Sequence, residues 1–114
     1  MIKYDLEDRT LDFAVNLRLF IKDLPRSIAN IENAKQVVRS SGSVGANYIE
    51  ANEKLGPKDF AYRLRIARKE AKESVYWLTI IKRANKLESQ ELDNLIQEAG
   101  ELRKILSAII NKLD

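Results

Sequence analysis

The sequence predicts an all-α fold, an up-down-up-down four-helix bundle, on three observations. Apolar residues recur at steps of three and four residues in four separate segments, which is the spacing of one face of a helix. No segment shows the two-residue alternation of a half-buried strand. The two prolines and four glycines leave few breaks, so we expect long helices joined by short connectors, as in an antiparallel bundle.

Composition limits both the size and the chemistry of the protein. A chain of 114 residues with 45% hydrophobic and 32% charged residues is predicted to form a single globular domain over residues 1–114. Cysteine and histidine are absent, which excludes disulfides and thiolate metal sites and disfavours most catalytic functions. No apolar run reaches the roughly 20 residues needed to cross a bilayer, and the N-terminus lacks the apolar core of a signal peptide. We therefore expect a cytoplasmic protein with no membrane partner.

The first helix is predicted over about residues 9–24. Asp8 or Thr10 is the expected N-cap, and Pro25 is expected to end the helix. The residues expected to face the core are Phe13, Leu17, Phe20 and Leu24.

The second helix is predicted over about residues 31–53 and contains an unusual stretch of small residues from Arg39 to Glu53. Gly42 and Gly45 each cost about 1 kcal/mol relative to alanine inside a helix, so tertiary contacts must offset that loss. A flexible Ser/Gly linker is the alternative, but small and apolar residues keep the helical spacing through the stretch. The residues on that face are Ile31, Ala34, Val38, Ser41, Gly45 and Tyr48, with Val37, Val44 and Ile49 beside them.

The third helix is predicted over about residues 58–85, after Gly56 ends the second helix and Pro57 starts the next. Its inward residues are Phe60, Leu64, Ala67, Ala71, Ser74, Leu78 and Ile81. Counting back from the turn places Ser41 and Gly45 near Ala71 and Ala67, so small residues of two antiparallel helices are predicted to meet.

The fourth helix is predicted over about residues 90–113, with Ser89 as its N-cap. Its apolar face steps by three and four residues without interruption, as expected for a bundle crossing near 20 degrees. That face consists of Leu92, Leu95, Ala99, Leu102, Leu106, Ile109 and Leu113.

A motif in helices two and three resembles a known bacterial four-helix bundle family. Its residues are QVVRSSGSVGANY at 36–48 with Glu50-Ala51, then Lys58-Asp59-Phe60, Lys69-Glu70-Ala71, Glu73 and Trp77-Leu78. The family includes proteins encoded in intervening sequences of large-subunit ribosomal RNA genes and the accessory variability determinant of diversity-generating retroelements. Many members have glycine where Ala51 stands, which is a mild departure. The resemblance implies a ring-like homopentamer and, for the retroelement member, binding to a reverse transcriptase and to nucleic acid.

The outer face of helix two is predicted to contact a neighbouring subunit. Small residues lie on both sides of this helix, whereas a solvated face would favour alanine or lysine. The predicted interface consists of Gln36, Arg39, Ser43, Asn47 and Glu50, together with Ile66, Trp77 and Ile80 from helix three. The alternatives are a solvated polar face for the helix-two residues and ordinary bundle packing for the apolar ones.

Positive charge is concentrated between Lys54 and Lys86. This segment has ten Lys/Arg against three carboxylates, a net of +7, so the rest of the chain is net −4 within an overall +3. Its outward residues are predicted to bind the phosphates and unpaired bases of RNA or DNA. They are Lys58, Arg65, Lys69, Lys72 and Arg83, with Tyr62 and Tyr76. The alternative is a solvated face with i,i+4 pairs such as Lys69 with Glu73.

An enzymatic alternative depends on two ExxE pairs, Glu50 with Glu53 and Glu70 with Glu73. They resemble the carboxylate clusters that hold magnesium in all-α nucleoside triphosphate pyrophosphohydrolases. The helical spacing directs the first pair away from helix three, so the four carboxylates are not expected to converge. The favoured interpretation is a non-enzymatic, homo-oligomeric scaffold or adaptor without cofactors, which engages structured RNA or a nucleic-acid enzyme through helix three.

Overall fold

The computed structural model describes residues 5–53 and 55–113 and forms a four-helix bundle, as predicted. The helices are α1 (Leu6–Lys22), α2 (Ile28–Ala51), α3 (Pro57–Asn85) and α4 (Gln90–Asn111). The described residues contain no strand, and none of their helices is long and apolar enough to span a bilayer. Lys54, which belongs to the basic segment, lies outside the described residues, as do residues 1–4 and Asp114 of the predicted domain.

Each helix packs on two neighbours and avoids the third. Contacts join α1 to α2, α2 to α3, α3 to α4 and α4 back to α1, and within the described residues no diagonal pair meets. The pairing of α2 with α3 is the most extensive, and that of α1 with α4 the least. The bundle is therefore a closed ring of helices in which α1 and α3 occupy opposite corners.

The core follows the predicted apolar faces of α1, α3 and α4 closely, whereas on α2 it takes Val37 and Val44 and leaves the predicted Ile49 exposed. Its buried hydrophobic residues are Phe13, Leu17, Phe20, Val37, Val44, Ala51, Leu64, Ala67, Ala71, Leu78, Ile81, Leu92, Leu95, Ala99, Leu102, Leu106 and Ile110. Leu24, Phe60 and Ile109 are half-buried against this core, whereas Leu113 lies beyond the end of α4 and is exposed. Ile110 takes the last inward position because the 3.6-residue repeat drifts by the end of the helix.

Both ends of α1 differ from the predictions. Asp5 is the N-cap of α1, where it accepts the Asp8 amide at 2.9 Å, so neither Asp8 nor Thr10 has that role. Thr10 is buried inside the helix. The helix also ends at Lys22, before Leu24.

The α2 helix begins earlier and ends earlier than predicted. Ser27 is its N-cap and accepts the Asn30 amide at 3.1 Å. The helix ends at Ala51, so Gly56 is not its terminator. Gly56 instead has φ +133° and stands as the N-cap of α3, directly before Pro57. Ser89 caps α4 as predicted, accepting the Leu92 amide at 3.1 Å.

The small residues of α2 face α1, which corrects the predicted pairing of Gly45 with Ala67. A Cβ atom added at Gly45 would lie 2.8 Å from Thr10 Oγ1, and one at Gly42 would lie 3.1 Å from Arg18 Nη2. The Arg18 guanidinium lies across this face and donates to the Val38 carbonyl at 3.0 Å. The prediction failed because helical spacing identifies the buried arc of α2 but not which of its two neighbours each residue of that arc meets.

A different pair of small residues joins α2 to α3. The hydroxyls of Ser40 and Ser74 are 2.8 Å apart in the core, and both residues are fully buried. Close approach of α2 and α3 therefore exists, but at Ser40 and Ser74 rather than at the predicted Ser41 and Ala71. A helix with two neighbours presents a buried arc to both, which is why small residues occur on each side of α2.

Candidate nucleic-acid interface

The outward residues of α3 are exposed as predicted. They all lie on one face of a 29-residue helix, turned away from the core. The exposed members are Lys58, Tyr62, Arg65, Lys69, Lys72, Tyr76 and Arg83. The structure divides them among three places, because they span nearly the whole length of the helix.

Three of these residues line a groove between α3 and α4, which we call the basic groove. Its lining consists of Arg65, Arg68, Lys69, Lys72, Arg103 and Ser107. Arg68 belongs to the same segment but was not among the predicted binding residues. Arg103 and Ser107 come from α4 and were also missed, because only the packing of α4 on α3 brings them beside the basic stripe. Two helices thus contribute five cationic side chains and no carboxylate to this groove.

The positive charge of the basic groove is little compensated by the chain itself. Lys69 lies 3.8 Å from Glu73, which confirms the predicted i,i+4 pair. Arg68, Lys72 and Arg103 make no hydrogen bond or ion pair with any residue that the structure describes. Like charges held this close raise the local potential and attract polyanions.

Two other predicted residues border a second depression, one turn further along α3. We call it the tyrosine depression; it is lined by Tyr76, Thr79, Ile80, Arg83 and Ala84. The Tyr76 side chain is 61% exposed, and its ring packs on Trp77 with centroids 5.2 Å apart and planes inclined at 70°. An edge-to-face contact of this kind holds the ring in place on the surface.

Lys58 and Tyr62 lie near the start of α3, in neither depression. The guanidinium of Arg63 stands 5.8 Å from the centre of the Tyr62 ring, within the range of a cation–π contact. Arg63 also pairs with Asp59 at 3.6 Å. Tyr62 is therefore exposed, but the Arg63 guanidinium already lies over its ring.

Arg39, which was predicted to lie at a subunit interface, forms ion pairs with α3 of its own bundle. It donates to both carboxylate oxygens of Glu70, at 3.2 and 3.3 Å, and pairs with Glu73 at 3.6 Å. The Glu70 side chain is only 8% exposed, and its burial was not predicted. The hydrogen bond to Glu70 raises the pKa of Arg39, so the arginine stays charged beside this buried carboxylate.

The other predicted interface residues remain at or near the surface. Gln36 and Glu50 are exposed, and the Asn47 amide donates to the carbonyl and hydroxyl of Ser43, each at 2.9 Å. Ile66, Trp77 and Ile80 are half-buried. The subunit interface stays a prediction.

A more exposed apolar row lies on α1 and was not predicted as an interface. Leu11, Val15 and Leu19 recur every four residues on the side of α1 opposite its core face, and all three are exposed. This row and the α3 residues occupy opposite corners of the bundle. Apolar rows on solvent-facing sides of helices are typical of protein contacts.

The ExxE carboxylates are not assembled into a cluster. Glu50 lies in the last turn of α2 and Glu53 lies just beyond its end, and both are exposed. Glu70 and Glu73 instead pair with Arg39. Among the residues of 5–53 and 55–113, no three acidic side chains come close enough to hold a metal ion together. This geometry does not support the magnesium-dependent hydrolase.

The opposite groove of α4, between α4 and α1, is acidic. It is lined by Asp12, Phe13, Asn16, Glu91, Asn94, Leu95 and Glu98. Arg9 closes it with bonds of 2.7 Å to each Glu98 oxygen and 2.8 Å to Glu101. Hydrogen bonds from Gln97 and then from Arg9 lower the pKa of Glu101.

Comparisons with known proteins agree with this fold. Residues 3–108 match the family model of the 23S rRNA-intervening sequence protein. A crystal structure of a protein of unknown function from the S23 ribosomal protein family of Bacteroides thetaiotaomicron is 31% identical in sequence. That match covers 93% of this chain and 98% of the other, with a TM-score of 0.81. No curated protein matches the chain.

Proposed function

The chain belongs to the 23S rRNA-intervening sequence protein family, and we propose that it is a non-enzymatic, homo-oligomeric adaptor that binds nucleic acid through the basic groove. The observation that carries this proposal is the gathering of Arg65, Arg68, Lys69, Lys72 and Arg103 from two helices into one groove. Structured RNA is the expected ligand, and a nucleic-acid enzyme such as a reverse transcriptase is the expected protein partner.

The chemistry of the basic groove fits a phosphate backbone. Guanidinium groups donate two parallel hydrogen bonds to a phosphate, and lysines add mobile point charges. Binding would release the counterions condensed on the nucleic acid, so affinity would depend strongly on salt. The groove contains no Asn or Gln to read the edge of adenine, and we expect its arginines and lysines to contact mainly phosphates, with weak sequence preference.

Assembly into a ring would repeat this groove around the oligomer. A ring needs two different contact surfaces on each subunit, joined head to tail. The apolar row of Leu11, Val15 and Leu19 and the predicted strip of Ile66, Trp77 and Ile80 lie on α1 and α3, at opposite corners. This arrangement supplies the two surfaces for head-to-tail contact, and the closed ring of five subunits is what the family resemblance implies.

A salt-dependent binding titration tests the nucleic-acid function. We expect a structured RNA to bind at low salt, with log affinity falling against log salt with a slope of about −3 to −5 for five cationic contacts. The double reversal Arg65→Glu with Lys72→Glu should flatten that slope by about 2 and abolish binding near physiological salt. The control is Lys22→Glu with Arg26→Glu, which makes the same change of net charge at the end of α1.

The proposal would be wrong if RNA fails to bind at low salt, or if both double variants lose affinity equally. Equal losses would mean that net charge alone attracts the RNA. Each variant should still fold, with a melting temperature within a few degrees of that of the original protein, because Arg65, Lys72, Lys22 and Arg26 are all exposed.

Light scattering tests the assembly separately. We expect the mass of a ring, most simply a pentamer, independent of concentration. Val15→Glu should reduce it to a monomer, since a buried unpaired charge in an apolar contact is strongly unfavourable. A monomeric mass for the unaltered protein would contradict the oligomer, whatever the RNA titration shows.

A further inference from the structure

We propose that the tyrosine depression holds one unpaired base of the strand whose phosphates lie in the basic groove, so that the protein prefers strands with unpaired bases to continuous duplex. This inference rests on the proposed function. It depends on a separate feature, the tyrosine depression. The aromatic and apolar walls of this depression suit a base as ligand better than a phosphate; its lining is Tyr76, Thr79, Ile80, Arg83 and Ala84.

The position of the depression continues the path of the basic groove. Tyr76 follows Lys72 by four residues on the same face of α3, which is about 6 Å along the helix axis. Arg83 follows Tyr76 by seven residues, about 10 Å further. A strand that leaves the groove at Lys72 therefore passes over the tyrosine ring before it reaches the next cation.

The walls of the depression suit a flat aromatic ligand. Tyr76 offers an exposed ring that is fixed by its contact with Trp77, while Ile80 and Ala84 supply an apolar surface. The Thr79 hydroxyl already donates to the Val75 carbonyl at 2.7 Å, so it can only accept a hydrogen bond from a ligand. Arg83 has no partner among the described residues and stands where it can meet the phosphate of the stacked nucleotide.

Base pairing would prevent this contact. A base inside a duplex is stacked on both sides by its neighbours, whereas bases in loops, bulges and ends can lie against aromatic side chains. The depression is on the outer surface of a single helix, so an unpaired base can reach it without entering a deep pocket. Because Ile80 also belongs to the predicted subunit strip, the inference requires a subunit contact in the ring that leaves Ile80 open. Tyr62, at the other end of the same face, lies outside the depression and has the Arg63 guanidinium over its ring. Its contribution should be smaller.

The test compares a single strand with an abasic strand of the same length and charge. The probes are an oligoadenylate of about 12 nucleotides, as RNA and as DNA, and the matching strands that lack bases at every position. The unaltered protein should bind the strands with bases about 5- to 100-fold more tightly, as expected for one stacked base. Tyr76→Ala should remove most of that difference without changing the affinity for the abasic strand. Tyr76→Phe should keep the difference, and Tyr62→Ala should reduce it less than Tyr76→Ala does.

The outcomes separate this inference from the function on which it rests. Equal binding of both strand types by the unaltered protein would overturn the stacked base but leave the phosphate groove intact. Failure of every strand to bind at low salt would overturn both. If Tyr76→Ala changes the oligomeric mass and leaves the base dependence unchanged, the depression is a subunit contact and the inference is wrong. A base dependence in either RNA or DNA supports the inference, and a difference between them shows that the sugar is also recognised.

Discussion

The two grooves beside α4 differ in how their charged side chains are paired. In the groove shared with α1, Glu98 and Glu101 are matched by Arg9 of the same chain, at 2.7 to 2.8 Å. In the groove shared with α3, Arg68, Lys72 and Arg103 gather without an acidic partner among the described residues. The same helix therefore borders one groove where the Glu98 carboxylate is paired within the chain and another where three cationic side chains have no acidic partner among the described residues.

This difference supports the proposal that the basic groove binds a ligand. Internal ion pairs and close packing stabilise the bundle, whereas clustered like charges repel one another and reduce stability. A region that breaks the local rule without compensation is the expected position of a functional site.

The largest expected effect tests the close packing on the α1 side. Gly45→Leu should lose about 3 kcal/mol of unfolding free energy or fail to accumulate as folded protein, because even its Cβ would meet Thr10 at 2.8 Å. The smaller change Gly45→Ala should lower the melting temperature as well. Thermal unfolding followed by circular dichroism measures both.

Gly100 provides the matched control for this prediction. Nothing lies within 4 Å of a Cβ added there, so Gly100→Ala should gain up to about 1 kcal/mol from helix propensity alone. If Gly45→Ala and Gly100→Ala both stabilise the protein, α1 does not pack closely on α2 in solution.

The next effect concerns the side of α3 that faces α2, where charges are paired. Arg39→Ala should cost about 1 to 3 kcal/mol in urea unfolding, because it leaves the buried Glu70 carboxylate without its partner. Adding Glu70→Gln should restore part of the loss by removing the buried charge. Arg83→Ala, on the outer face of the same helix, should change stability by less than about 0.5 kcal/mol. Similar losses at Arg39 and Arg83 would show that the two sides of α3 do not differ.

A smaller effect tests the repulsion in the basic groove. Lys72→Glu should raise the melting temperature by about 1 to 3 °C at low salt, since it replaces a like-charge neighbour of Arg68 at i,i−4 with an opposite one. The gain should shrink as salt is added. Lys35→Glu is the control: Lys35 lies 3.7 Å from Glu32, so its reversal should give no gain. A Lys72→Glu variant that is no more stable than the original would mean that the groove is already neutralised.

The smallest effect is the pH dependence of the acidic groove. The pKa of Glu101 is lowered in the folded state, so its stabilising contribution is present above its usual pKa of about 4.5 and is lost as pH falls through the lower folded value. Glu101→Gln should therefore lose less melting temperature between about pH 5 and pH 3 than the unaltered protein. Parallel acid profiles for the two proteins would show that Arg9 and Gln97 do not hold this carboxylate in solution.

Most of the α3 residues of the basic groove could be predicted from the sequence, but the residues that α4 adds to it could not. Periodicity alone placed Arg65, Lys69, Lys72 and Tyr76 on the outer face of α3, where they lie. It could not assign Arg103, which is 31 residues beyond Lys72 and joins the groove only through the packing of α4 on α3. Glu70 was missed for a similar reason, because a charged residue is buried only when a distant partner such as Arg39 reaches it.

The sequence by itself determined the number of helices, most of the inward face of each and the Ser89 cap. Each of these features depends on residues within one or two helical turns of one another. Only the tertiary structure decided which neighbour each part of a buried face meets. Gly45 faces Thr10 of α1, and Ser40 meets Ser74 of α3. The physical reason is that a helix with two neighbours buries an arc wide enough for both, and the spacing of residues within the helix defines that arc without saying which neighbour lies against each part of it.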